Sequence, residues 1–152
     1  MRTGRGSGMG LLLSATRVAS KTTESTRMSS GATIAEAVDK LNTHRIGAVV
    51  VVDGERVTGI LSERDVVRHL GRDWAGLADR PVSDLMTKAV VTTHPGAALD
   101  ELMELMTSRR IRHIPVVADE RLVGIVSIGD VVKRKIEEAE LEASALKEYI
   151  TS

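Results

Sequence analysis

Apolar positions along the chain follow a helical spacing, then two strand-like runs, then a helical spacing again. From Ile34 onward, apolar residues recur every three or four positions, which predicts an amphipathic helix ending near His44. The continuous β-branched run 48–52 and the run 57–61 predict two strands, and the Asp-Gly step between them favours a hairpin turn. Ser62 is a good helix N-cap and opens a second predicted helix.

The whole block occurs a second time, displaced by 65 residues with no insertion. Arg45-Ile46 matches Arg110-Ile111, and Ser62 matches Ser127. A period of this length is too long for a solenoid repeat, and there are only two copies. The repeat therefore predicts two similar halves that pack together about a pseudo-twofold axis.

The second half is predicted to repeat the elements of the first. These elements are a helix from Leu99 to about Met106, strands over 114–117 and 122–126, and a helix that starts at Ser127. A leading strand is predicted before each half, at 25–28 and at 90–93. Antiparallel hairpins flanked by helices indicate an α+β architecture.

The repeat and its flanking sequences divide the chain into five predicted segments. They are a flexible, basic N-terminal segment (1–19), a first domain (20–78), a linker with a short helix (79–84), a second domain (85–142) and the end of the C-terminal helix (143–152).

The last helix is predicted to run beyond the repeat, to about Tyr149. Its apolar residues recur at alternating steps of four and three, which is the spacing of a narrow coiled-coil seam. The seam consists of Val132, Ile136, Ala139, Ala143, Leu146 and Ile150. It either covers its own domain or contacts a partner chain. Because so long a helix would overhang a body of 16.4 kDa, we favour a partner and predict a homodimer.

Composition narrows the possible functions. Lys plus Arg and Asp plus Glu number 21 each, so the formal net charge is zero and the broad basic field of a nucleic-acid-binding protein is missing. Trp74 and Tyr149 are the only aromatic residues of the Phe, Trp and Tyr types, which leaves no platform for stacked bases. With no cysteine, disulfides, thiolate metal sites and cysteine nucleophiles are all excluded. We therefore do not expect nucleic acid as a partner.

Other patterns bear on location and catalysis. No apolar run approaches the roughly 20 residues of a membrane span, so we expect no membrane association. The first acidic residue is Glu24, and the basic, Ser/Thr-rich stretch before it resembles an organelle transit peptide only weakly. A cytoplasmic location is the default. No Ser/His/Asp set and no metal-ligand spacing among the histidines is recognisable, so we expect no enzyme activity and no metal.

A short motif occurs in both halves. It reads Gly-Ile-Leu-Ser-Glu-Arg-Asp from Gly59 and Gly-Ile-Val-Ser-Ile-Gly-Asp from Gly124. Ser followed by Asp three residues later is the spacing of a capping box at a helix N-terminus, and capping alone would account for both copies. A carboxylate can also accept from two adjacent ribose hydroxyls, and a helix N-terminus with a Ser hydroxyl suits a phosphate. The motif therefore permits a nucleotide site.

With this motif and the phrase Arg-Ile-Arg-His-Ile-Pro-Val-Val from Arg110, the chain resembles the CBS domain family, named after cystathionine β-synthase. The resemblance covers about residues 20–140 and is closest to small stand-alone members with a tandem pair. It implies two pseudo-twofold-related domains, each β-α-β-β-α, packed as one module with a long C-terminal helix. It also implies an adenosine-containing ligand: AMP, ADP, ATP, NAD(H) or S-adenosylmethionine.

The resemblance assigns roles to particular residues. Asp65 and Asp130 would hold ribose hydroxyls, and Ser62 and Ser127 would face phosphate. Residues of the first strand of each hairpin would line the base: Ala48, Val49 and Val50 in one half, and His113, Ile114 and Pro115 in the other. The leading segments would close each cleft through Thr26 and Met28, or through Val91 and Thr93. Basic side chains near the pseudo-twofold axis would meet phosphates or form a solvated basic face: Arg64, Arg68, Arg112, His113 and Lys133.

The two predicted sites are unequal. Pro115 leaves a backbone carbonyl without a competing donor on its own residue, whereas the first half has Val50 there. His113 likewise stands where the first half has Ala48. These differences favour the second site for a nucleotide.

Two functions are compatible with these observations. The first is a regulatory sensor that binds an adenosine ligand and modulates a protein target that the sequence does not identify. The alternative is a ligand-free dimeric adaptor that recruits its partner through the C-terminal seam.

Overall fold

The computed structural model describes Ala15, residues 23–72 and residues 74–151. Apart from Ala15, the predicted flexible segment 1–19 lies outside the described residues, and so does most of the basic stretch considered as a transit peptide. Ala15 itself is fully buried, and its N–H donates to the Ala97 carbonyl at 2.8 Å.

The described part of the first half contains three helices and a three-stranded sheet. In chain order, they are α1 (Thr23–Thr26), β1 (Arg27–Met28), α2 (Ile34–His44), β2 (Ala48–Asp53), β3 (Arg56–Ser62) and α3 (Glu63–Leu70). Thr33 caps α2 in a complete capping box with Glu36, as the Thr-x-x-Glu spacing predicts. Gly54, with a φ of 66°, makes the turn between β2 and β3.

The second half repeats this order after two short 3₁₀ turns, Leu77–Asp79 and Val82–Asp84. Its elements are α4 (Leu99–Arg109), β4 (His113–Ala118), β5 (Arg121–Ser127) and α5 (Ile128–Thr151).

The two hairpins have the same strand register. Ala48 pairs with Ser62 in the first, and His113 pairs with Ser127 in the second. Each hairpin also has a register shift at the equivalent place. It lies between Val51 and Val52 in the first hairpin and between Val116 and Val117 in the second. The 65-residue offset is therefore preserved in the backbone hydrogen bonding, and this confirms the predicted α+β fold of two similar halves.

The leading strands are shorter than predicted. Over 25–28, only Arg27–Met28 is a strand, parallel to β2, because the preceding residues form α1. Over 90–93, no strand forms, and Thr93 makes a single parallel bridge to Val116. Here the sequence-based prediction was wrong, since one bridge is too little pairing for a strand.

Three apolar clusters hold the described residues together. One lies inside each half: Ile34, Leu41 and Leu61 belong to the first, and Leu102 and Ile114 to the second. The third cluster lies between the halves and contains Val50, Val52, Leu122 and Ile125. It joins a strand of one sheet to a strand of the other.

The long C-terminal helix is confirmed. Helix α5 has 24 residues, and Val131 in its first turns is buried in the core of the second half. From residue 139 to residue 151 every side chain is exposed. The apolar seam on this helix is therefore not covered by its own domain. Among the described residues, no helix is long and apolar enough to span a bilayer.

We predict that Leu102→Ala lowers the free energy of unfolding by about 2–5 kcal/mol, because Leu102 is fully buried and its truncation leaves a cavity. Leu141→Ala is the matched control, since Leu141 is 58% exposed on α5. Urea denaturation measures both variants. Equal losses of stability in the two variants would show that the second core is not packed as described.

Candidate functional site

A large cleft opens where β3 ends and α3 begins. Its volume is about 600 Å³. Three groups of residues line it. They are Gly47, Ile60, Ser62, Glu63, Arg64, Asp65, Val67 and Arg68 from the first half, Thr87, Ala89, Val90 and Val91 from the segment leading into the second half, and Arg110, Ile111, Arg112 and His113 from the loop before β4 and its first residue. We call this space cleft 1.

A smaller cleft, of about 100 Å³, lies at the equivalent position of the second half, and we call it cleft 2. It is lined by Thr26, Arg45, Ile46, Gly47, Ala48, His113, Ile125, Ser127 and Asp130.

Each cleft is assembled from both halves. In cleft 1, Ser62 and Asp65 of the first half face Arg110 and Arg112 of the second half. In cleft 2, Ser127 and Asp130 of the second half share the wall with Arg45 of the first half. The Ser/Asp pair of one half thus lines the same cleft as the loop before the hairpin of the other half.

The Ser/Asp pairs are capping boxes in both halves. The Ser62 N–H donates to Asp65 Oδ2 at 2.8 Å, and the Asp65 N–H donates to Ser62 Oγ at 3.3 Å. At the second helix the corresponding distances are 2.9 Å and 3.1 Å, between Ser127 and Asp130. All of these bonds to the carboxylates use Oδ2. The carboxylate of Asp65 is held in place at the wall of cleft 1, where it is half-buried.

Gly47 and His113 form the wall between the two clefts, since both residues line each of them. A Cβ atom placed on Gly47 would lie 2.8 Å from His113 Nε2 and 3.2 Å from Glu63 Oε1. Glycine at position 47 therefore makes room for the imidazole. The equivalent residue of the second half is Arg112, whose side chain reaches cleft 1 instead.

The pKa of His113 is lowered from its usual value of 6.5. Burial of the ring is the largest cause, and the nearby Arg112 lowers the pKa further. Glu63 and Asp130 act in the opposite direction and offset only part of this effect. At neutral pH the imidazole in the shared wall is therefore uncharged.

Cleft 1 carries an excess of positive charge. Four arginines line it, at positions 64, 68, 110 and 112, against the two carboxylates of Glu63 and Asp65. Arg110 has a left-handed backbone with a φ of 55°, and the equivalent Arg45 has a φ of 53°. Such a conformation costs a side-chain-bearing residue about 1–2 kcal/mol. Strained residues of this kind often occur at functional sites.

The predicted site residues fall into two groups. Those that reach a cleft are Ala48, Ser62, Arg64, Asp65, His113, Ser127 and Asp130. The others line neither cleft 1 nor cleft 2: Met28, Val49, Val50, Thr93, Ile114, Pro115 and Lys133. Val49, Val50 and Ile114 are fully buried in the apolar clusters, so their side chains serve packing. Of the closing pairs, Thr26 and Val91 reach a cleft.

The Pro115 carbonyl already accepts one hydrogen bond. Its donor is the Thr93 N–H at 2.9 Å, so the leading segment uses one of the two lone pairs of this oxygen. The Thr93 side chain is only 8% exposed, and its Oγ1 has no hydrogen-bond partner among the described residues.

Sequence reasoning missed several cleft residues. Gly47, Glu63 and Arg110 line cleft 1, and so do Thr87, Ala89 and Val90. The left-handed conformation of Arg110 follows a helix C-terminus, but arginine gives no sequence signal for it. Gly47 carried a signal, since it interrupts the apolar run before β2 where the second half has an arginine.

Comparison with known proteins agrees with this architecture. The family model of the CBS domain matches residues 22–72 and 82–137, which together make up more than half of the chain. The chain therefore belongs to the CBS domain family, as a tandem pair.

Curated relatives include the CBS domain-containing protein CBSX3, mitochondrial, of Arabidopsis thaliana. It is 37% identical over 123 residues, which cover 78% of this chain and 60% of that protein. The chain thus spans less than two thirds of that relative's length. The protein YhcV of Bacillus subtilis is 35% identical over 112 residues, covering 72% of this chain and 77% of the relative.

Solved structures of CBS-domain proteins share the fold. The protein ATU1752 of Agrobacterium tumefaciens is 44% identical with a TM-score of 0.69, covering 72% of this chain and 88% of the other. The CBS domain pair of MJ0100, solved in complex with 5′-methylthioadenosine and S-adenosyl-L-methionine, is 26% identical with a TM-score of 0.73. Its match covers 82% of this chain and 97% of the other.

We predict that His113 makes folding stability depend on pH below 6.5. Because its pKa is lowered on folding, the unfolded chain binds more protons between pH 6.5 and the lowered pKa, and stability falls as the pH drops through this window. His113→Gln should lose this component. The measurement is the difference in free energy of unfolding between wild type and His113→Gln at several pH values. A difference that stays constant from pH 7.5 to 5 would contradict the prediction.

Proposed function

We propose that this chain is a regulatory module that binds an adenine nucleotide in cleft 1. The observation that carries the proposal is the juxtaposition in this cleft of an ordered Ser62/Asp65 pair with four arginines. A volume of about 600 Å³ falls within the usual range of small-molecule sites, roughly 300–1,000 Å³.

Each part of an adenine nucleotide has a suitable counterpart in this cleft. The Asp65 carboxylate, positioned through Oδ2, accepts from the vicinal hydroxyls of a ribose. The guanidinium groups of the cleft suit a phosphate. The Ser62 hydroxyl, which donates to Asp65 Oδ2 at 3.1 Å, would have to turn from Asp65 to face it. The apolar side chains of Val90 and Ile111 offer contact surface to an adenine ring.

Charge selects among the adenosine ligands predicted from the family resemblance. Arginine guanidinium groups favour phosphates, so AMP, ADP, ATP and the pyrophosphate of NAD(H) fit better than S-adenosylmethionine, which is a sulfonium cation without phosphate. The MJ0100 pair, which was solved with S-adenosylmethionine, keeps that ligand as the alternative. We rank ATP and ADP above AMP because cleft 1 has room and charge for a longer phosphate chain.

The sequence favoured the second site, at Asp130, for a nucleotide. The sizes of the two clefts favour the first site, at Asp65. Cleft 2, which contains Asp130, holds only about 100 Å³, and its one arginine is matched by one carboxylate. We therefore place the primary site at Asp65. Binding at Asp130 requires cleft 2 to open.

Regulation follows if the bound and free states differ in their contacts with a protein target. A ligand shifts such an equilibrium only by its differential affinity for the two states.

We propose no catalytic activity, since the side chains of cleft 1 suit the binding of a ribose and a phosphate. The cytoplasm remains the predicted location, and the mitochondrial relative makes an organelle the alternative. Imaging of a tagged full-length chain distinguishes these locations.

We predict that Asp65→Ala abolishes nucleotide binding, measured by isothermal titration with AMP, ATP, NADH and S-adenosylmethionine. Glu36→Ala is the matched control, because Glu36 completes the capping box of α2 and does not line either cleft. Either variant loses the N3 carboxylate of a capping box and keeps the N-cap hydroxyl, so the two losses of stability should be similar. If Asp65 were a cap only, both variants would bind alike. Asp130→Ala should reduce affinity less than Asp65→Ala.

If the chain is instead a ligand-free adaptor, nucleotide should not stabilise the wild-type protein. At a nucleotide concentration of 100 times Kd, a sensor gains about 2.7 kcal/mol of stability. Absence of any thermal shift with all four compounds would favour the adaptor.

We also predict that Arg110→Asn weakens ATP binding by about tenfold, the loss typical of one charge-assisted hydrogen bond. Asparagine adopts the left-handed backbone more readily than arginine, so the free energy of unfolding should not fall. Arg45→Asn provides the control, because Arg45 has the same conformation but lines cleft 2. Equal affinities of the two variants would contradict a role for Arg110 in phosphate binding.

A further inference from the structure

We infer that helix α5 pairs with α5 of a second copy of this chain, parallel and in register, to form a short two-stranded coiled coil. The inference makes the predicted homodimer specific and does not depend on nucleotide binding. It starts from the exposure of the seam: Val132, Ile136, Leu146 and Ile150 are 48%, 54%, 61% and 73% exposed, respectively.

The spacing of the seam matches the a and d positions of a heptad repeat. With Val132 at d, the following seam residues alternate between a and d as far as Ile150 at a. The two central residues, Ala139 and Ala143, are small and permit close approach of two helices. Larger residues at both ends supply most of the apolar contact area.

The seam itself does not fix the direction of pairing. In a parallel, in-register pair each residue meets its own copy. In an antiparallel pair centred on residue 141, Ile136 meets Leu146, and Ala139 meets Ala143. Both arrangements bury the same side chains, so the charges beside the seam must decide between them.

The flanking charges favour the parallel direction. In a parallel pair, a g residue faces the e residue five positions later on the partner helix. Lys135 then faces Glu140 of the other copy, and Glu142 faces Lys147. Both pairs join opposite charges, and each occurs twice in a symmetric dimer.

The antiparallel direction brings like charges together. Antiparallel helices align e with e and g with g. Lys133 would then face Lys147, Glu140 would face its own copy, and Glu142 would also face its own copy. Repulsion at these positions disfavours the antiparallel dimer.

The domain leaves the seam accessible. Val131, Lys135 and Glu138 lie on the side of α5 that faces its own domain, and the Lys135 Nζ donates to Asp100 at 3.3 Å and to Glu138 at 3.0 Å. Successive residues of an α-helix are about 100° apart around its axis. On this basis the seam lies roughly a quarter to a third of a turn around the helix from the side that faces the domain. The ammonium of Lys135 has three donors and retains one for the partner helix.

Disulfide trapping tests the direction directly, because the chain contains no cysteine. In the parallel pair, Leu146→Cys places two thiols at one d–d layer. In the antiparallel pair the same two residues lie about 15 Å apart along the axis, beyond the roughly 7 Å limit between Cα atoms for a disulfide. Leu141→Cys is the matched control, since Leu141 is similarly exposed, at 58% against 61%, on the opposite side of the helix.

Under mild oxidation of the full chain, we expect a covalent dimer from Leu146→Cys and little from Leu141→Cys. Equal cross-linking of both variants overturns the inference. Cross-linking of a mixture of Ile136→Cys and Leu146→Cys into a heterodimer, without self-linked Leu146→Cys, would establish the antiparallel arrangement instead. A wild-type monomer in light scattering at micromolar concentration also overturns it.

A charge exchange provides the second test. In the variant Glu142→Lys, the introduced lysine faces Lys147 of the other copy, and this contact occurs twice per dimer. Because like charges repel, we expect about a tenfold rise in the dimer Kd. The double variant Glu142→Lys/Lys147→Glu restores opposite charges and should restore the wild-type Kd. Within one helix, Glu142→Lys replaces a like-charged i,i+4 pair with Glu138 by an attractive one, so a weaker helix cannot explain the loss. Failure of the double variant to recover would contradict parallel pairing.

Discussion

Burial of one apolar layer between the two sheets is the constraint on which the rest of this structure depends. Val50 and Val52 of β2 meet Leu122 and Ile125 of β5, so neither half can bury this layer alone. This contact brings the start of each hairpin next to the helix N-terminus of the opposite half. The clefts arise at that junction, and each needs both halves to be complete. Substitutions that disrupt the shared layer would therefore affect both clefts.

The repeat supplies two equivalent frameworks, and a few substitutions make them chemically different. Position 47 is glycine and its equivalent, position 112, is arginine; position 48 is alanine and its equivalent, position 113, is histidine. The glycine admits the imidazole into the shared wall, while the arginine adds charge to cleft 1. The same backbone thus carries one roomy, positively charged cleft and one small cleft with balanced charge.

Local chemistry made most of the fold predictable. The capping boxes, the Asp-Gly turn and the helical and strand spacings act over a few residues, so the sequence shows them directly. The segment 90–93 was mispredicted because its pairing depends on a neighbour distant in sequence, Val116. The Ser/Asp motif of the candidate site was predictable from the sequence. Its cross-half partners, such as Arg110 facing Asp65, follow from the packing of the two halves, which no local pattern encodes.

Helix α5 connects cleft 2 to the surface that we assign to a second copy. Asp130 lies in its first turn at the wall of cleft 2, Val131 anchors it in the core, and the seam begins at the next residue. A helix of 24 residues extends about 36 Å, so a change of its direction at the N-terminus is enlarged at the C-terminus. A parallel pair would convert such a change in either module into a change in the relative position of both. Through this geometry, the ligand proposed for the module would change the surface that a partner contacts.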